Sequence, residues 1–297
     1  MRLIGKTLLL VIVMLVVYHV VWPHLSRKYF LLSGMQRDNY SRAQRYFYDT
    51  PDRASVILGS SLSLRLDEQA LGPDALKLAF GGGNIWTGLE IIRKAGKHPA
   101  IVLIEINQIA WNRNDEMLGD LFSPGWSTLR RWSGIFREEG RPSNFVVGRL
   151  EVLVRKGCRL GDRILDFSPD PDPNQVNPEL FDRLLSMHRR MLYDVLPEAD
   201  LATRTARLAE QVNALTAGGS VCVFYEMPIH SSLVDLPAPV AVRDAMQKQF
   251  PRDKYYWLSF PSDHVYQTSD AYHLTQTEAN KLSELIAQQL KQWKLRL

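Results

Sequence analysis

Cysteine, runs of like charge and metal-binding spacings are all scarce in this sequence, and each scarcity excludes something. Two cysteines are too few for a disulfide-framed secreted scaffold. Cys222 lies inside the apolar run Val221 to Tyr225 and reads as a buried strand thiol, whereas Cys158 follows Lys156 and Gly157. A bridge between them stays open if the compartment is oxidising. No run of five or more like charges occurs, and 36 basic against 32 acidic residues leave a net charge of +4, so no nucleic-acid partner is expected. The seven histidines show neither HExxH nor paired-ligand spacing, and GxGxxG and a Walker lysine are missing, so neither metal nor other cofactor is expected. No internal repeat is present either.

One long hydrophobic run is present. After Arg2 and Lys6 the chain is uncharged from Thr7 to Trp22. Small residues of the A-x-A kind are lacking at its end, where Tyr18 to Pro23 stand, so residues 1–26 are expected to form an uncleaved signal anchor. The run is slightly shorter than the ~20 residues of a usual span, although Leu3 and Ile4 extend it and Trp22 suits a membrane interface. Basic residues flank both ends, so charge does not decide its orientation. Arg27, Lys28, Arg37, Arg42, Arg45 and Arg53 mark residues 27–53 as a basic linker suited to anionic headgroups or polymers.

From residue 54 to 297 the pattern is that of one domain. The apolar runs Ser55 to Leu58, Leu76 to Phe80, Ala100 to Ile106 and Val221 to Tyr225 read as buried parallel strands. Amphipathic spacing between them, as in Thr87 to Ala95 and Ala202 to Leu215, predicts crossover helices. The fold class is therefore α/β, a doubly wound and mainly parallel sheet flanked by helices, preceded by one transmembrane helix. Between about 111 and 182 the pattern gives way to Trp-, Pro-, Gly- and Asp-rich stretches, which read as an insertion or lid.

The residues that could carry chemistry stand at the strand ends. The first strand runs into Gly59, Ser60 and Ser61, placing a hydroxyl where ligands bind in open α/β sheets, with Ser61 opening the next helix. The second empties into Gly81, Gly82, Gly83 and Asn84, which permit close backbone approach. The third ends in Glu105, Ile106 and Asn107; the Asn107 amide can donate to an oxyanion, while Glu105 can pair with a basic group, its role staying open. Near the C-terminus Asp270 stands three residues ahead of His273, and Thr275 with Glu278 forms a capping box for a helix to about Lys291. An aspartate so placed can orient the imidazole and leave its other nitrogen to deprotonate a serine. His230 and His264 read as loop residues at the rim.

In that order these residues resemble the SGNH hydrolase (GDSL-like) family over most of residues 54–290, with an unmatched middle from about 111 to 200. The resemblance implies a flavodoxin-like three-layer sandwich, with Ser61 as nucleophile and Asp270 and His273 completing the triad. It further implies an oxyanion hole from Ser61, Gly83 (or Gly82) and Asn107. Two departures stand out. The acid that usually precedes the nucleophile is Ser60, a form similar to that of membrane-anchored SGNH-like proteins of envelope acylation, and the third block lacks Gly-x-Asn-Asp. What this implies is a serine-dependent O-acyl, chiefly O-acetyl, esterase or transferase on exported cell-envelope polysaccharide. The protein would be single-pass in the inner (cytoplasmic) membrane, its N-terminus cytoplasmic and its catalytic domain periplasmic or extracellular. Implied partners are an acylated envelope polysaccharide, the bilayer and a membrane-embedded acyltransferase, with Trp86, Trp111, Trp126 and Trp132 as carbohydrate-facing candidates. The alternatives are an inactive SGNH-like accessory protein and a lipid-directed esterase.

Overall fold

The computed structural model describes residues 2–21, 35–143, 174, 176 and 178–295. Expectations placed on Trp22, Arg27, Lys28, Cys158 and residues 144–173 of the insertion lie outside the described residues. In chain order the elements are α1 (Arg2–Val21), α2 (Met35–Asp49), β1 (Ser55–Gly59), α3 (Glu68–Leu71), β2 (Ala75–Ala79), α4 (Ile85–Ala95), β3 (Ile101–Glu105), α5 (Asp115–Leu121) and α6 (Pro124–Trp132). There follow α7 (Pro178–Met191), α8 (Glu198–Ala217), β4 (Val221–Tyr225), α9 (Ser231–Val234), α10 (Pro237–Gln249), β5 (Tyr256–Trp257) and α11 (Gln276–Gln292). The chain divides into two compact units, Met1–Tyr48 with Glu116–Asp170, and Asp49–Asp115 with Pro171–Leu297.

In the first unit, α1 carries a 19-residue stretch, Leu3–Val21, with a mean hydropathy of 2.3 and no buried part, long and apolar enough to cross a membrane. Near the end of this helix the Tyr18 hydroxyl donates to the Gly140 carbonyl (3.0 Å), and His19 Nδ1 meets Ser133 Oγ at 2.7 Å. Residues 35–49, expected as linker, are instead a helix that buries Asn39, Ser41, Ala43, Gln44 and Tyr46. Its basic side chains face acids rather than standing free: Arg45 lies 2.8 Å from Glu139, Arg42 3.8 Å from Asp38 and Arg37 3.9 Å from Glu138. The buried Arg130 of α6 is held by the Asp120 carboxylate at 2.8 Å. Thus residues 116–143 of the expected insertion belong to a unit with α2, whereas residues 111–115 and the start of α7 belong to the second unit.

The second unit is built on a five-stranded, wholly parallel sheet in the order β2-β1-β3-β4-β5. Four strands fall where the apolar runs predict them; β5, two residues long, is an addition. Alternation along each strand assigns its two faces. Ile57, Leu103 and Val223 join a core with Leu282, Ile286 and Leu290 of α11. On the other face Gly88 lets α4 close onto β1 and β2, since a Cβ there would sit 2.6 Å from Leu58 Cδ2 and 3.0 Å from the Leu78 carbonyl oxygen. Burying an aliphatic side chain of this size contributes roughly 1.5–3 kcal/mol, so these layers outweigh any single polar contact in holding the sheet. Arg53, counted with the basic cluster, donates to the carbonyls of His98, Gly218 and Gly219 within this unit.

Candidate active site

The strand order reverses direction between β1 and β3, and ligands of open α/β sheets bind at the carboxyl edge of such a switch point. Three loops leave the sheet side by side there. β1 pairs with β2 through Gly59↔Ala79 and with β3 through Leu58↔Ile104, so Ser61, Gly81 and Asn107 follow their strands at the same height.

Ser61 does not open a helix as expected. It sits in a turn, followed by a 3-10 turn at Ser63–Arg65 and the four-residue α3. What fixes this loop is Glu105. The register sets Glu105 beside Tyr225 and next to Gly59, and the fully buried carboxylate accepts hydrogen bonds from four donors on the loop. Ser60 gives its N–H (3.0 Å) and Oγ (2.6 Å), and Ser63 gives its N–H (3.2 Å) and its hydroxyl. Tyr225 in turn meets Ser63 Oγ at 2.7 Å. A side chain at position 59 would collide with Ser63 Oγ and Glu105 Oε2, which makes the glycine a steric requirement. The reading of Glu105 as partner of a basic group is therefore corrected. Burial pushes its carboxyl above the usual carboxylate range, against the pull of the four hydrogen bonds.

The Ser61 hydroxyl lies 2.7 Å from His273 Nε2, and His273 Nδ1 lies 2.7 Å from Asp270 Oδ2. Asp270 Oδ1 accepts from the backbone N–H groups of His273 (2.7 Å) and Tyr272 (3.1 Å). Burial pushes the Asp270 carboxyl up, but the His273 side chain and the two N–H groups outweigh it and bring it down to about 2. The loop that carries both residues turns through Ala271, fully buried at a φ of 69°. Ser269 N–H closes it onto the His273 carbonyl at 2.8 Å, and His230 N–H holds the Ala271 carbonyl at 3.1 Å. Beneath it the Tyr272 hydroxyl accepts from Gln108 Nε2 (2.6 Å), and the Tyr272 ring stacks on His188 of α7 at 4.7 Å. Burial raises the Tyr272 pKa well above its ordinary value, so it acts as a neutral hydrogen-bonding prop.

The glycine loop behaves differently from expectation. Gly83 N–H donates to the Phe80 carbonyl (3.0 Å), closing a turn with Gly82 at φ 64°, and is thereby committed. Among the described residues no acceptor takes the N–H of Gly82 or of Ser61. Asn107 is clamped to the end of β4, with Oδ1 accepting from Met227 N–H (2.7 Å) and Nδ2 donating to the Met227 carbonyl (3.0 Å), which fixes the amide's sense and leaves its second hydrogen uncommitted.

The remaining expected features fall as follows. Thr275 caps α11 through Glu278 N–H (3.3 Å), but the Glu278 carboxylate is taken by His264 Nε2 at 2.6 Å instead of closing the capping box. His230 meets Ser232 Oγ at 2.9 Å and caps α9. Trp86 is a packing residue, 4% exposed, its Nε1 donating to the Ile109 carbonyl and its face covered by Arg207. A cavity of about 400 Å³ at the ends of β4 and β5 is lined by Met227, Arg243, Trp257, His264 and Tyr266, and not by Ser61, Asp270 or His273. Cys222 is free and buried, its thiol pushed up to about 12 by desolvation. Among the described residues no group of three or more His, Cys, Asp or Glu side chains could hold a metal ion. The contributions of Ser63, Gln108, Tyr225 and His188 are not marked by any sequence motif.

No protein-family model matches the chain, and neither does any curated protein or solved structure.

Proposed function

We propose that this chain is a serine-dependent O-acyl esterase or acyltransferase of the SGNH hydrolase type. One observation carries the reading: Ser61, His273 and Asp270 form an unbroken relay with both contacts at 2.7 Å, at the switch point of a parallel sheet. His273 Nε2 takes the Ser61 proton as Oγ attacks an ester carbonyl, while Asp270 holds Nδ1–H and stabilises the imidazolium. The oxyanion is met by the N–H groups of Ser61 and Gly82 and by the second Nδ2 hydrogen of Asn107; Gly82, not Gly83, takes the glycine role because Gly83 N–H is spent on Phe80. Each such donor is worth about 3 kcal/mol in the transition state. His273 returns the proton to the departing alcohol, leaving an acyl-Ser61. Water then releases the acid, or a sugar hydroxyl takes the acyl group.

The acid missing at position 60 does not weigh against activity, since Glu105 brings a carboxylate onto Ser60 from β3. The proposed substrate is an O-acetylated or similarly acylated polysaccharide outside the cytoplasm, handled beside a membrane-embedded acyltransferase. The apolar α1 and the resemblance to envelope-acylation proteins support this setting, with α1 crossing the inner membrane once, N-terminus inside. The test uses the full chain in detergent. A fluorophosphonate should label Ser61, p-nitrophenyl acetate should be turned over, and Ser61→Ala should abolish both. A wild-type chain that neither labels nor turns over would leave a non-catalytic accessory role in place of the enzyme.

A further inference from the structure

We infer that α6 presents a membrane-surface contact, with Trp126, Leu129 and Trp132 seated in the headgroup zone of the bilayer that α1 crosses. The inference rests on α1 being a membrane span. Three hydrophobic side chains at three-residue spacing lie on one stripe of α6 and are open to solvent, 52% for Trp126, 40% for Leu129 and 71% for Trp132. On the same helix Arg130 is turned into the unit and held by Asp120, so the outward stripe is not a packing face left over by chance.

What names the occupant is the contact between this stripe and α1. At 1.5 Å per residue the apolar part of α1 is about 28 Å long, close to the thickness of a hydrocarbon core, so its final turn comes at an interface. That final turn holds Tyr18 and His19. The Trp132 ring stacks on the His19 ring, centroids 5.6 Å apart and planes within 2°, and Ser133 and Gly140 are hydrogen-bonded to His19 and Tyr18. A side chain stacked on residue 19 of such a span stands at headgroup depth, where tryptophan is favoured because its ring is apolar and its N–H can stay hydrated. Leu129 and Trp126 follow Trp132 on the same stripe, about 4.5 and 9 Å along α6. Arg131 falls on the opposite side of α6 from the stripe, its guanidinium 6.0 Å from the Phe47 ring of α2, which leaves the stripe itself free of charge. A short helix with tryptophans on one side and arginines turned away from it fits a helix lying in the interface plane. The contact would seat the first unit against the surface, where a bare span would leave it free to swivel.

The test places an environment-sensitive fluorophore at Leu129→Cys in a Cys158→Ser background, with the full chain reconstituted in phosphatidylethanolamine/phosphatidylglycerol nanodiscs; Cys222, being buried, stays unlabelled. Trp126→Cys gives a second, independent probe position. The expected result is blue-shifted emission at both positions, quenched severalfold more by shallow nitroxide lipids than by aqueous iodide. Water-like emission quenched by iodide, in a chain that still resists carbonate extraction, would overturn the contact while leaving the span intact. Protection from both quenchers would overturn it in favour of a second copy of the chain on this face. Extraction of the full chain by carbonate would instead remove the span itself, and the contact with it.

Discussion

Replacing Asp270 by asparagine changes one atom, and the structure says what that does to the relay. Both backbone donors, His273 N–H and Tyr272 N–H, bind the same oxygen, Oδ1. The asparagine must keep its carbonyl there, which turns its NH₂ toward His273 Nδ1. Nδ1 then has to accept, the proton moves to Nε2, and Nε2–H now faces the Ser61 hydroxyl it should deprotonate. A wrong tautomer of this kind lowers the rate by about 10⁴, or about 5.4 kcal/mol of barrier. The escape route is to flip the amide, which sets NH₂ against two backbone N–H groups at a cost of roughly 1–3 kcal/mol each. The expected loss is therefore about 10²- to 10⁴-fold in p-nitrophenyl acetate turnover and in fluorophosphonate labelling alike. Stability should suffer less. Asp270 falls from 3.8 to about 2 on folding, its side chain is 26% exposed, and the contribution comes to no more than about 2 kcal/mol. Because the folded value is depressed, that stability is present above the ordinary carboxylate pKa and is lost as pH falls toward about 2, so wild type and Asp270→Asn should converge in acid. An Asp270→Asn protein within tenfold of wild type at neutral pH would refute the relay.

Three further outcomes follow from the same geometry. Glu105→Gln should cost only about 1–2 kcal/mol in denaturant melts, because Ser60 N–H and Ser63 N–H share Oε2 and can keep one amide oxygen; Glu105→Ala strands both and should cost more than about 4 kcal/mol along with most of the turnover. Since burial raises the Glu105 pKa, its contribution is full below the ordinary carboxylate pKa and is lost as pH rises through the folded value, so the gap between wild type and Glu105→Gln should narrow with rising pH. Gly88→Ala should lower stability by about 1–3 kcal/mol in thermal melts, from overpacking against Leu58 and the Leu78 carbonyl.

How far the sequence announces this molecule varies with the scale of the interaction. β1 to β4 are legible because a strand covered on both faces is continuously apolar, and that pattern is local. β5 is not: Tyr256 and Trp257 are two residues, one of them exposed, too short for any period to register. Residues 35–49 read as a linker because charge dominates their composition, yet helical geometry lets Ala43 and Tyr46 turn inward while the arginines find acids far along the chain. The glycine proposed for the oxyanion hole illustrates the limit at its sharpest. Gly82 and Gly83 are indistinguishable as letters, and only the turn closed by Phe80 decides which N–H remains to donate. Glu105 is conspicuous as a charge ending an apolar run, but nothing local says that its partners are two serines more than forty residues upstream. The Thr275–Glu278 capping box half-forms for the same reason, since a distant His264 competes for the carboxylate.

Ser61 and His273 are 212 positions apart, and they meet only after β1, β3 and the Asp270 loop are all in place. A chain emerging N-terminus first therefore carries the Ser61 hydroxyl for most of its synthesis without the imidazole that faces it in the fold. On the proposed mechanism, any product truncated before His273 would lack the base and stay silent however well its sheet forms. Timing would then be written into the linear order: on the proposed mechanism reactivity would wait for the C-terminal loop, and a nascent chain could not acylate itself or its neighbours on the way to completion.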